Sequence, residues 1–532
     1  MAPIELTDAI RSRLADLGVA APADLKLERP RNPEHGDWAV NCFPVAKGSS
    51  YTGPDLAAAL ADSLDADPPT HLAKAEAVGG FLNLRLHPTW LHDVLRGAVA
   101  AGPATYAATD IGRGRSVDIE YVSANPTGPL HAAHGRWAAY GDSLARVMAR
   151  CGYAVQREFY INDRGAQLDR FGASLLAAKR GEPIPEDGYR GAYVEEWAAE
   201  MPDDVDPVLW GRDRALADQR ETLAEMGVYF DRWTSERAIV AAGAMEQTLD
   251  ELRQLGHVYE ADGAVWLRST DFGDDRDRVL VRSSGDPTYL LPDIAGHRDK
   301  FARAEHLIDV FGPDHHGYLE RLWAGIEALH HRRDDLEIII GQNVVLLRNG
   351  AEVKLSKRRG DIVLLREDVV DEVGPDATRF TYLLQNVDTK LVFDLDVVVQ
   401  RSLDNPVFYV QMAHARLAGI ARNAVAKGVE RQPLDTVDLG VLGHAREHEI
   451  LTLLNDLPTV IVDACERRAP NKVVTWSREM AAAVHGFHHD CWVVADDVPP
   501  ELTQARLWLV EAARIGLVVA LDLVGVTAPE QM

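Results

Sequence analysis

His131 and His134, three residues apart, open an amphipathic run that ends near Arg150. Just before them, residues 122–129 carry two prolines and a glycine, which forbid regular structure, and residues 116–121 have strand character. In a doubly wound sheet, the carboxyl end of a strand and the amino end of the next helix form the ligand crevice, where free N–H groups and the helix dipole favour phosphate. Two histidines there could donate hydrogen bonds to a phosphate chain and stabilise the added negative charge of a pentacoordinate phosphorus. On its own an HxxH pair reads as well as a pair of capping histidines or part of a metal site. The strand and turn ahead of it favour phosphate chemistry. A second candidate begins at Lys354, where Lys354, Lys357, Arg358 and Arg359 place four cations in six residues, with Ser356 among them, after a strand-like segment and a turn at Asn349 and Gly350. Such a loop can close over a triphosphate and neutralise charge on a leaving pyrophosphate. A solvated basic run is the usual alternative, but this run stands out in a chain with 82 acidic and 56 basic residues.

The elements that must position these groups follow a strand and helix rhythm. Apolar strands are expected at residues 116–121, 306–311 and 336–340, which argues for a parallel sheet covered by helices, a doubly wound nucleotide-binding fold. An insertion over about 180–280 is expected between its halves, containing the segment GVYFD at 227–231. Residues 1–108 read as a small α+β module with helical patterns at 5–18 and 54–65, an alternating strand at 80–86 and a linker over 100–115. From about 395 the apolar spacing turns helical through 402–424, 438–467, 474–490 and 502–524, the pattern of a bundle of four or more helices. The expected domains are therefore 1–108, 109–394 and 395–532.

With 532 residues the chain exceeds one ordinary core, and 46% hydrophobic with 26% charged residues describes a folded globular protein. Cys42, Cys151, Cys465 and Cys491 form no CxxC or Cys/His cluster, so no metal site and no disulfide framework is expected, and reduced thiols fit a cytoplasmic protein. No 18-residue apolar run suggests a membrane span; the stretch 507–526 comes closest and is interrupted by Glu511, Arg514 and Asp522. The formal charge of −26 argues against nonspecific nucleic-acid binding. It leaves room for an RNA held by shape and a local basic track, and an acidic proteome would give the same balance.

The histidine pair and the cationic loop together resemble the HxGH and KMSKS signatures of class I aminoacyl-tRNA synthetases, here as HAAH at 131–134 and KLSKR at 354–358. The segments EYVSANPTGPLH at 120–131, FYIND at 159–163 and GDPTYL at 285–290 are similar to the arginyl branch of that family. EHGD at 34–37 and GFLN at 80–83 resemble motifs of its N-terminal additional domain, which contacts the tRNA elbow. DNPVFYVQMAHAR at 404–416 and GVTAPEQM at 525–532 look like the start and end of its helical anticodon-binding domain. The resemblance implies ATP-dependent ligation of L-arginine to tRNA(Arg) through an arginyl-adenylate, by a cytoplasmic and monomeric enzyme. His131, His134, Lys354 and Lys357 would be catalytic, with Ala133 and Ser356 completing the ATP site. Glu120 and Asn125 would hold the ammonium and carboxylate region of arginine, and Tyr289 and Asp293 its guanidinium, since a planar cation wants a carboxylate and an aromatic face. Asp314 and His316 follow the strand at 306–311 and would face the same crevice. Magnesium is implied by ATP rather than by a ligand cluster.

The sequence departs from the family pattern at four places. Ala133 stands where the family usually has glycine close to adenine, and an unrelieved methyl there would cost roughly 1–3 kcal/mol. Pro292 removes an N–H just before Asp293, which is tolerable where a helix begins. Trp492 and Gln531 stand where arginines are usual. These departures leave open a synthetase-like paralogue that serves another pathway or acts as a resistant duplicate, and a non-enzymatic sensing or RNA-binding module.

Overall fold

The computed structural model describes residues 2–22, 25–30, 32–313, 319–353 and 363–532. By internal contacts the chain divides into two compact bodies: Met1–Tyr106 with Arg416–Leu457 and Ala482–Gly516, and Ala107–Ala415 with Pro458–Ala481 and Leu517–Met532. The residues expected as a C-terminal bundle are distributed over both.

In the first body, strands Trp38–Asn41, Phe81–Leu86 and Leu72–Val78 form an antiparallel sheet with Phe81–Leu86 in the middle. Residues 100–105, expected as the start of a linker, carry the end of one helix and a short helical turn beyond a kink at Gly102, within Thr89–Thr105. Gly102, at φ 60°, breaks the backbone there, so Pro103 opens the short turn after the break rather than sitting inside a helix. The helical run after 395 is realised as Pro406–Ala426, Ala445–Glu466, Asn471–Asp490 and Pro500–Leu523.

The second body is built on a five-stranded parallel sheet: β1 (Ser116–Glu120), β2 (Ala154–Ile161), β3 (Arg232–Ser235), β4 (His306–Phe311) and β5 (Leu336–Ile340), in the spatial order β5-β4-β1-β2-β3. This is the doubly wound fold expected from the sequence, with strand order reversing between β1 and β4. β3 lies inside the segment expected as an insertion and instead pairs with β2 as the sheet's edge. On β1, Val117 and Ile119 pack one face, while Asp118 and Glu120 place buried carboxylates on the other. Helix α1 (Ala132–Arg150) follows β1, and its close seat requires glycine: a Cβ at Gly141 would lie 2.2 Å from the Tyr121 ring and one at Gly135 2.4 Å from Leu365. Helix α2 (Leu290–Phe301) precedes β4.

Candidate active site

The chain leaves β1 through a strained turn. Val122 and Ser123 have φ of 69° and 37°, a region that side chains, and β-branched ones above all, rarely enter. The turn is held from outside: buried Gln219 donates from Nε2 to the carbonyls of Asn125 (3.1 Å) and Gly128 (2.9 Å). Ser123 Oγ accepts from the N–H of Tyr160 at 3.1 Å. Asn125 is oriented by donation from its Nδ2 to Gln167 Oε1 at 2.9 Å.

The two histidines are not both inside the helix. His131 is its N-cap, with an extended backbone, and its N–H donates to Nδ1 of His134 at 3.2 Å, while the two rings stack 3.6 Å apart. An accepting Nδ1 assigns the proton of neutral His134 to Nε2, which makes that nitrogen a donor. The pair is further pinned by Val363, Leu365 and Tyr382. Ala132 N–H donates to Val363 O at 3.1 Å, Leu365 N–H donates to Leu130 O at 2.8 Å, and Tyr382 OH donates to Ala132 O at 2.8 Å. Lys354, Ser356 and Lys357, together with Asp314 and His316, lie outside the described residues.

A cavity of about 600 Å³ opens at the point where the strand order reverses. Of the residues singled out in the sequence, Glu120, Asn125, His131, Ala133, His134, Tyr289 and Asp293 all line it. Its lining falls into two groups. One gathers around the histidines: the Trp137 indole meets His134 edge-on at 5.5 Å and lies against the backbone of Gly312 and Gly341, at the ends of β4 and β5. Trp137 Nε1 is buried without a hydrogen-bond partner. Arg136, also buried, donates to the carbonyls of Gln342 (3.0 Å), Asn386 (2.7 Å) and Thr389 (2.7 Å), fixing the loop that brings Asn343 to the cavity wall. Because a Cβ at Gly341 would fall 2.4 Å from Trp137 Nε1, Gly341→Ala is expected to push the indole into the cavity. Kinetics of the variant should show the nucleotide KM raised about tenfold and the second substrate's KM nearly unchanged.

The second group is acidic and aromatic. Tyr289 caps α2 and is 83% exposed, so its ring is open to a ligand rather than packed in the core. Asp293 follows in the first turn. Pro292 is the third helical residue, where the missing N–H costs nothing, so the departure at that position is absorbed. Glu236, which follows β3, also lines the cavity. Burial, with Asp293 and Asp163 as like-charged neighbours, pushes its carboxyl above the usual range against the pull of Arg164. Sequence reading missed Glu236 because β3 is four residues long and polar; its position at a strand end inside the FDRWTSE segment is the signal that could have found it. Glu120 is held in an ion pair with Lys300. Burial raises its carboxyl, and the Lys300 charge opposes that.

A histidine pair at a helix N-terminus has the chemistry to meet a polyatomic anion, and carboxylates beside an exposed aromatic ring that to meet a cation. The chain matches the family descriptions "Arginyl tRNA synthetase N terminal domain" over residues 5–86, "tRNA synthetases class I (R), catalytic domain" over 217–417 and "DALR anticodon binding domain" over 410–532. It is 44% identical to the arginine--tRNA ligase of Frankia alni and 40% identical to that of Kineococcus radiotolerans, each alignment covering 100% of both chains. The solved structure of Thermus thermophilus arginyl-tRNA synthetase shares the fold with a TM-score of 0.78 at 24% identity, covering 100% of both chains. Similarity of this extent along the whole chain, over a doubly wound domain with its cavity where the strand order reverses, means that the chain belongs to the arginyl-tRNA synthetases of class I.

Proposed function

We infer that this enzyme joins L-arginine to tRNA(Arg) at the expense of ATP. The observation that carries the reading is the single cavity that brings a stacked histidine pair at a helix N-terminus together with Asp293, Glu236 and Tyr289. In the first step a carboxylate oxygen of arginine attacks the α-phosphorus of ATP, forming arginyl-adenylate and releasing pyrophosphate. In the second, a hydroxyl of the terminal ribose of tRNA attacks the arginyl carbonyl and AMP leaves.

The assigned roles follow from charge and position. His131 and His134 donate to the phosphate chain as charge builds on it, with the dipole of α1 behind them. Ala133 and Trp137 bound the nucleotide beside them. Lys354 and Lys357 neutralise the departing pyrophosphate and Ser356 completes the ATP site, which the sequence pattern supports. Asp293 and Glu236 take the guanidinium, Tyr289 covers its face, and Glu120 with Asn125 receive the ammonium and carboxylate; Asp314 is assigned to the same amino-acid site on sequence alone. Among the described residues no group of three His, Cys, Asp or Glu is disposed for a metal. Magnesium is assigned as the counter-ion that would arrive with the triphosphate and supply charge neutralisation there.

Residues 1–108 are assigned to the tRNA elbow, 109–394 to catalysis and 395–532 to the anticodon. No described helix is long and apolar enough to cross a membrane. All four cysteines are buried free thiols, the state that a reducing cytoplasm maintains, and the working species is taken to be a monomer, which sedimentation at assay concentration checks.

ATP–pyrophosphate exchange tests the reading, run with arginine and with other amino acids, with and without tRNA(Arg). Exchange that needs both arginine and tRNA supports it. Exchange independent of tRNA points to a paralogue, and none at all to a non-enzymatic role. Ala133→Gly should lower the KM for ATP in the same assay, by up to about tenfold if the methyl crowds the adenine. An unchanged KM means the site has already relaxed around the methyl.

A further inference from the structure

Parallel pairing places Glu120 of β1 directly beside Asp309 of β4, on the sheet face beneath α2. Asp118 and Glu158 stand on the same face, so four carboxylates from three adjacent strands are gathered out of water. Like charges side by side on a sheet repel. The answering cations come from one side of α2 and its end. Arg303 reaches Asp118 at 2.9 Å and Glu158 at 2.7 Å. Lys300, only 2% exposed, pairs with Glu120 and, at 2.8 Å, with Asp309 Oδ1.

The chain of contacts continues. Asp309 Oδ2 takes a hydrogen bond from His297 Nε2 at 2.7 Å, and His297 Nδ1 donates to the carbonyl of Asp293 at 2.7 Å. Both partners of the imidazole are acceptors, so the doubly protonated ring satisfies both. Burial works against that charge, but Asp309 outweighs it and raises the pKa of His297. The linkage thus runs from Glu120 through Lys300, Asp309 and His297 to the backbone of Asp293, and joins the two places assigned to the substrate's ammonium and guanidinium. Well-packed apolar side chains would hold a helix on a sheet at no loss of stability. A buried ionic chain ending at both halves of the binding site serves a different purpose.

We propose that Lys300 is a positioning residue for amino-acid recognition, orienting the Glu120 carboxylate directly and the first turn of α2, which carries Asp293, through Asp309 and His297. This rests on the arginine reading given above. Lys300 and His297 both border the cavity, and the Lys300 ammonium is taken up by Glu120 and Asp309, so its part is to fix the geometry of the groups assigned to the substrate.

The test is Lys300→Met, which keeps most of the volume and removes the charge, studied in the full-length enzyme with tRNA. The KM for arginine should rise at least about tenfold while that for ATP stays within about twofold. The preference for arginine over 5-guanidinopentanoate, a competitor that lacks the α-ammonium, should fall by about tenfold as well, a readout that a merely structural residue would not move. Without Lys300, Glu120 faces Asp118, Glu158 and Asp309, and the cluster keeps Arg303, His297 and, at 4.0 Å from Glu158, Arg232 as its cations among the described residues. Glu120 then holds its proton to higher pH, so the variant's KM for arginine should fall with rising pH more steeply than the wild type's. Should Lys300→Met not fold, Asp309→Asn, which keeps shape and hydrogen bonding, is expected to raise the KM for arginine in the same selective way. Unchanged arginine KM and unchanged analogue preference overturn the proposal, as does an equal loss toward both substrates. Wild-type enzyme without arginine-dependent exchange would instead overturn the arginine reading itself.

Discussion

Replacing His134 by alanine is expected to lower the rate of adenylate formation about 10²- to 10³-fold, with the KM for arginine changed by less than about threefold. The magnitude is that of removing one preorganised donor from a site where charge develops during the reaction. Single-turnover formation of arginyl-adenylate measures it without interference from tRNA release. The geometry permits a sharper version, because His134 has two jobs: Nδ1 accepts the His131 N–H at 3.2 Å, and the ring stacks on His131 at 3.6 Å. His134→Asn offers an acceptor to the same N–H but has nothing at the position of Nε2. If the Asn variant matches wild type, the histidine is only a cap. If it falls as far as the Ala variant, the donor at Nε2 is what the reaction uses.

The second large effect is expected at Asp293. A guanidinium brought out of water next to an amide instead of a carboxylate loses about 2–5 kcal/mol of interaction, which is about 30-fold to several thousandfold in kcat/KM for arginine. The loss should be selective: citrulline, with a neutral ureido group in place of the guanidinium, should bind Asp293→Asn at least as well as wild type, so the ratio of the two affinities collapses. Glu236→Gln should give a smaller loss in the same direction, since Asp293 remains. Competition of citrulline against arginine in the exchange assay reads both variants. A preserved ratio in Asp293→Asn would move guanidinium recognition elsewhere in the cavity.

What the sequence disclosed and what it hid divide along a physical line. β1, the proline-rich turn and α1 were legible because each is a local pattern: alternating apolar residues, ring-constrained backbone, then a helical period. The same locality made β4, β5 and the four long C-terminal helices readable. Glu236 was hidden because β3 owes its place to pairing with β2 rather than to its own propensity. Lys300 was hidden for another reason: a lysine late in a helix ordinarily lies in solvent, and only the register of β1 against β4 shows two carboxylates waiting beneath it. Gln219 and Arg136 act on backbone carbonyls of distant segments, and no spacing rule announces such contacts. The linker expected at 100–115 begins later than expected, because Gly and Ala suit a kinked helix end as well as a loop; residues 106–115 form no helix or strand.

Tyr289, Asp293, His297 and Lys300 all belong to α2 or its cap, at intervals of four, four and three residues. Each residue of an α-helix advances the azimuth by about 100°, so these groups share a side only while the count between them is kept. A one-codon insertion between Asp293 and Lys300 would swing the ion-pairing lysine away from Glu120 while altering none of the binding residues themselves. Arginine selectivity in this protein is thus vulnerable to changes of length as well as of identity, and an in-frame indel in this dozen residues would be a lesion that no list of conserved contact residues would flag.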